Sequence, residues 1–94
     1  MIGEPAWLVM AFDSTQQALR AEILLEYADL EIDTCPTPKA ITAGCALSIR
    51  FEEEHLEQIK EIILSEQVVI RGIFRLMNES KITYACIWSS AGGE

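Results

Sequence analysis

Three cysteines, Cys35, Cys45 and Cys86, are the side chains of this 94-residue chain best suited to covalent chemistry. The first two bracket the segment Cys35-Pro36-Thr37-Pro38-Lys39-Ala40-Ile41-Thr42-Ala43-Gly44-Cys45, in which two prolines stiffen one end and Gly44 allows tight backbone geometry at the other. A thiol on such a loop can meet a partner's sulfur, metal or anion, and its thiolate is the form that attacks sulfur electrophiles and holds soft metals. At Cys45, Lys39 and nearby backbone N–H groups would favour the thiolate. Gly44, with the small residues Thr42, Ala43 and Ala46, leaves room for a partner to approach. A packing role stays open at the same position, because Cys45 is also the first inward residue of a strand-like alternation and free cysteine often acts as a small hydrophobe. Cys35 reads as a strand-end residue before a proline turn, and Cys86, in the alternation Ile82, Tyr84, Cys86, Trp88, as strand packing. If the Gly-containing loop folds back, Cys35 and Cys45 could meet; the prolines oppose this, so the pair is expected to be mostly reduced, with Cys45 the more reactive member.

Other chemistries have less support. Cys35, Cys45, Cys86 and His55 are zinc-ligand types, but no Cys-x2-Cys or His-x3-His spacing gathers them, so no metal or other cofactor is expected. No phosphate-binding glycine loop, Ser-His-Asp set or spaced carboxylate pair is evident. The formal net charge of −8, with only 7 basic residues, argues against a nucleic-acid binder. No apolar run is long enough to cross a bilayer and no secretory signal is evident, so a cytoplasmic location with reduced thiols is the expectation. Arg50, Arg71 and Arg75 would share one surface if their strands have the same phase, forming a face for an anionic partner or a sheet-to-sheet homodimer.

The elements that must position these groups follow from periodicity. Residues 6 to 12 form a short apolar run, a central strand buried on both faces. Ser14 and Gln17 make a capping box, after which Ala18, Leu19, Ala21, Ile23, Leu25 and Ala28 give a helix over 15 to 28 an apolar face. A short strand over 31 to 35 stops at Pro36, and Cys45, Leu47, Ile49 and Phe51 alternate as a half-buried strand. Glu52, Glu53 and Glu54 suit a second helix N-terminus, with Leu56, Ile59, Ile62 and Ile63 as its buried stripe to about residue 65. Residues 68 to 77 read as a strand with Gly72 at a bulge or close approach, then a turn at Asn78-Glu79-Ser80 and a last strand over 81 to 88. The order β-α-β-β-α-β-β predicts one α+β domain over 1–94, with a core at 6–88 and a mobile tail at 89–94. It matches a ferredoxin-like split β-α-β plan, with two helices on one face of a mainly antiparallel sheet and the other face open.

Two stretches carry a family resemblance. Phe12-Asp13-Ser14-Thr15-Gln16-Gln17-Ala18-Leu19-Arg20-Ala21-Glu22, and the more specific Pro36-Thr37-Pro38 through Gly44-Cys45 to Arg50-Phe51, are similar to the selenium/sulfur carrier protein-like family of small bacterial domains. The resemblance spans roughly residues 8 to 77. It implies a carrier thiol at Cys45, which would accept a persulfide or selenide from a donor protein and pass it to an acceptor, as an accessory protein rather than a stand-alone enzyme. It implies no role for Cys35. The competing expectation is a non-catalytic interaction or regulatory domain that associates through the open sheet face while the cysteines only pack.

Overall fold

A computed structural model describes residues 7–78 and 80–89. The elements run β1 (Trp7–Ala11), α1 (Thr15–Tyr27), β2 (Ile32–Pro36), β3 (Leu47–Glu52), a single 3-10 turn at Glu53–His55, α2 (Leu56–Ser65), β4 (Gly72–Asn78) and β5 (Thr83–Trp88). The five strands form one sheet in the order β2-β3-β1-β4-β5, each neighbouring pair antiparallel. The chain is α+β as its pattern predicted. Each strand-helix-strand unit is split by a strand from the other: β3 lies between β1 and β2, and β1 between β3 and β4.

Register fixes the two faces. Met10 opposes Ile49 and Ile73, and Leu8 opposes Phe51; these side chains are buried with Ala18, Ala21 and Leu25 of α1 and with Ile59 and Ile63 of α2. On the far face, Val9 and Ala11 pack with Ile41, Ala43, Phe74 and Tyr84. That face is not left open as expected, because the segment between β2 and β3 folds across it and covers Val9 and Ala11 with Ile41.

Ser14 caps α1 by accepting a hydrogen bond from the Gln17 N–H at 3.4 Å, whereas the Gln17 side chain accepts from the Val69 N–H at 3.1 Å instead of completing a capping box. Both helices end in the same way. Leu30 N donates to Leu25 O and Val68 N to Ile63 O, with Asp29 and Gln67 at positive φ (65° and 56°), which satisfies the last carbonyls and turns the chain back to the sheet. Leu30 and Val68, each just past the turn, are buried against the core. The apolar face assigned to α1 needs correction: Leu19 and Ile23 are exposed, the latter at 65%, because Ala18, Ala21 and Leu25 already fill the side turned to the sheet. The acidic run before α2 forms a separate 3-10 turn, and residues 68 to 71 connect to β4 without joining the sheet. At Gly72 a close approach is present, since a Cβ would lie 2.9 Å from Cys86 Sγ. The expected turn at 78–80 and tail at 89–94 fall partly or largely outside the described residues.

Candidate functional site

Cys45 sits at the point where the loop after β2 returns to the sheet. The β2–β3 ladder pairs Pro36 with Leu47 and continues beyond the strands, with Thr37 N donating to Ala46 O at 2.8 Å and Thr37 Oγ1 to Cys45 O at 3.0 Å. Cys45 therefore keeps the inward phase of Leu47 and Ile49, and its side chain joins the core between sheet and helices with 4% of its surface exposed. Thr37 Oγ1 also meets Ser48 Oγ at 2.6 Å, giving this buried hydroxyl its partner.

Among the described residues the sulfur has two polar neighbours. Thr15 Oγ1, in the first turn of α1, lies 3.3 Å from Cys45 Sγ, and the Leu47 N–H donates to the same sulfur at 3.3 Å. A hydroxyl, a backbone N–H and the first turn of a 13-residue helix converge on one sulfur. Asp13, just before the helix, is the nearby opposing charge in sequence. It accepts from the Gly44 N–H through Oδ1 at 2.7 Å and pairs with Arg71 at 3.5 Å.

A clasp holds this arrangement. Cys45 N donates to Phe12 O at 3.0 Å, Arg71 N to Ala11 O at 2.8 Å, and Arg71 Nε to Thr42 O at 3.1 Å. The β1–α1 corner, the returning loop and the entry to β4 thus meet around Asp13. Gly44 is small for a concrete reason, since a Cβ at this position would stand 2.9 Å from Asp13 O. The sequence motif contained Asp13, Thr15 and Thr37, but nothing in their spacing assigned them roles; their signal was proximity of two separate stretches, which only the fold supplies.

At the sheet edge beside this thiol, Thr15, Thr34, Cys35, Pro36, Ala46 and Leu47 line a shallow groove of about 460 Å³. Both polar neighbours of the Cys45 sulfur belong to its lining, so the sulfur lies beneath the groove wall. Cys35 opposes Ser48 across the ladder, three residues along β3 from Cys45 and on the opposite face, so the fold does not bring the two thiols together. Burial pushes the Cys35 thiol pKa up; Arg50 offsets part of this, and Asp33 adds to the rise. Burial thus disfavours the Cys35 thiolate. Cys86 is exposed on β5, where a register shift next to Ile73 and Phe74 breaks the expected alternation and turns both Ile87 and Trp88 to the core.

Lys39 is exposed, and among the described residues no hydrogen bond or ion pair joins it to Cys45; the cation tied to this loop is Arg71. The three arginines do not share a surface. Arg50 opposes Val9 on the far face, lies over the Trp7 ring at 4.9 Å and pairs with Asp33 at 3.1 Å. Arg75 opposes Leu8 on the helix-bearing side and holds Glu53 through two contacts of 2.7 Å. Strand phase puts Arg50 and Arg75 on opposite faces, and Arg71, which precedes β4, is held at Asp13 and Thr42 instead. Among the described residues, ligand atoms of Glu52, Glu54 and His55 lie within 4.8 Å of one another, and no cysteine belongs to that group. No helix among the described residues is long and apolar enough to cross a membrane.

A family model described as "Putative Se/S carrier protein-like" matches residues 8–75, most of the chain. The chain belongs to this family. Neither a curated protein nor a solved structure matches it significantly. The match to the carrier-like family takes in β1 through most of β4, and with it the Asp13 clasp, the Cys45 loop and Arg71, while β5 lies outside.

Proposed function

We propose that the protein carries sulfur or selenium on Cys45, receiving it from a donor protein and delivering it to an acceptor. The observation that carries this reading is the environment of Cys45 Sγ, held between the Thr15 hydroxyl and the Leu47 N–H at the N-terminus of α1. In the loading step the Cys45 thiolate attacks the outer sulfur of a donor persulfide; a new S–S bond forms at Cys45, the donor's S–S bond breaks and the donor leaves as a thiolate, with no net oxidation. A donor perselenide reacts in the same sense, leaving selenium on Cys45. Delivery is the same exchange with an acceptor nucleophile. The donors around the sulfur would stabilise the anionic cargo, and burial would shield it from solvent. This chemistry needs no cofactor.

Intact-mass measurement after incubation with a persulfide donor tests the reading. A gain of one sulfur atom is expected in the wild type and in Cys35→Ser/Cys86→Ser, and none in Cys45→Ala. Equal loading of Cys45→Ala and wild type overturns the assignment.

A second reading is a non-catalytic interaction domain in which Cys45 only packs. Its support is the 4% exposure of Cys45 and the outward stripe Leu19, Ile23 and Tyr27 on α1. It predicts no loading at Cys45 under conditions where a free thiol of the same chain is modified.

A further inference from the structure

We propose that Thr15 is the gate of Cys45, and that the edge groove beside it is the route by which a partner's sulfur reaches the thiol. The inference rests on the carrier reading and gives Thr15, whose hydroxyl meets the sulfur, a further role as its cover. Cys45 is only 4% exposed as a residue, so a partner reaches its sulfur only if some neighbour yields. The candidates differ in what their movement would cost. On the inner side the sulfur is packed in the core formed by Phe12, Ile49 and their neighbours, which cannot part without disturbing the sheet. Leu47 contacts the sulfur through its backbone N–H and is fixed in the β2–β3 ladder opposite Pro36. Thr15 alone of the polar neighbours reaches the sulfur through a side chain, and it is itself exposed to solvent. Rotation about one side-chain bond withdraws its Oγ1 from Cys45 without touching the ladder.

The groove meets this gate from outside. Thr15 lies on its wall with Ala46 and Leu47, the residues that follow Cys45 in the chain. It opens at β2, the terminal strand of the sheet, where no further strand of this chain blocks approach among the described residues. Ala46 presents only a methyl group there. The space of about 460 Å³ admits a side chain with its adjoining backbone, so the partner this route fits is a persulfide-bearing cysteine on a protruding, extended segment.

The test uses Cys35→Ser/Cys86→Ser protein, in which Cys45 is the remaining thiol, and measures the rate of Cys45 labelling by a small alkylating reagent. Thr15→Ala, which removes the cover, is expected to label about tenfold faster, the factor corresponding to ~1.4 kcal/mol less opening cost. Thr15→Val keeps the cover's shape without the hydroxyl and is expected to label no faster than the parent. The acceleration in Thr15→Ala should be insensitive to low urea, since rotation of one side chain exposes little surface, whereas unfolding exposes much. Equal rates in the parent and Thr15→Ala, equal acceleration by Ala and Val, or a strongly urea-dependent acceleration each overturn the gate. Persulfide loading reads the carrier function separately: fast labelling of Thr15→Ala with no loading in any variant leaves the gate standing and removes the carrier reading, whereas normal loading with no acceleration does the reverse.

Discussion

Replacing Gly44 by alanine should loosen the whole thiol site through its contact with the β1–α1 corner. The added Cβ would lie 2.9 Å from Asp13 O and 3.4 Å from Asp13 Cα, and because these are backbone atoms no rotamer change relieves the contact. The loop must lift away from the β1–α1 corner. Lifting it strains the 2.7 Å bond from Gly44 N to Asp13 Oδ1 and the 3.0 Å bond from Cys45 N to Phe12 O. Overpacking of this kind typically costs roughly 1–3 kcal/mol, and loss of one such hydrogen bond adds about 1 kcal/mol. The smaller entropy of alanine in the unfolded chain returns less than about 1 kcal/mol. A net destabilisation of about 1–3 kcal/mol is therefore expected. Urea unfolding is the assay, with a lower midpoint at unchanged slope, accompanied by faster labelling of Cys45 in native conditions. A variant within about 0.5 kcal/mol of wild type, with Cys45 labelling unchanged, would refute the claim that contact with Asp13 is what requires glycine here.

Two further outcomes test the fold around the site. Leu25→Ala should cost about 2–5 kcal/mol because its side chain is fully buried, while Ile23→Gln on the same helix should stay within about 0.5 kcal/mol; thermal or urea unfolding compares them directly. The Arg75 hydrogen bonds hold the Glu53 carboxyl below its ordinary pKa, against a smaller opposing effect of burial. A depressed folded pKa contributes stability that is present above the unfolded carboxylate value and lost as pH falls through the folded one, so wild type should lose more stability than Arg75→Gln between about pH 5 and pH 3. Parallel stability profiles over that interval would remove the pair from any role in acid sensitivity.

The order of elements was legible because period and punctuation agree along most of the chain. Ser14 stops one period and starts another, and Leu47, Ile49 and Phe51 alternate cleanly, whereas Pro36, expected to stop β2, is its last paired residue. Faces were harder to read. On α1 the apolar residues outnumber the places facing the sheet, so composition could not tell Leu25, which is buried, from Ile23, which is not. On β4, Ile73 looked like one apolar residue between two surface arginines, but its opposition to Met10 sends it to the core and leaves Arg75 beside the helices. The candidate site was half visible. Cys45 and Gly44 could be selected from one loop, but Asp13, Thr15 and Arg71 join them only through contacts between distant stretches, and Lys39, nearer in sequence, is not joined to the thiol.

The clasp around Asp13 also has a consequence for how the protein is made. Its bonds span sequence separations of 31 residues from Gly44 to Asp13, 29 from Arg71 to Thr42 and 58 from Arg71 to Asp13. Contacts of such range form late, after the intervening chain has been brought into place. During synthesis Cys45 therefore emerges as an ordinary exposed thiol and stays one until residue 71 has been translated and docked. From that point its shelter is a property of the completed sheet, so a nascent or truncated chain that ends before β4 would offer the thiol to oxidants and electrophiles that the finished protein keeps from it.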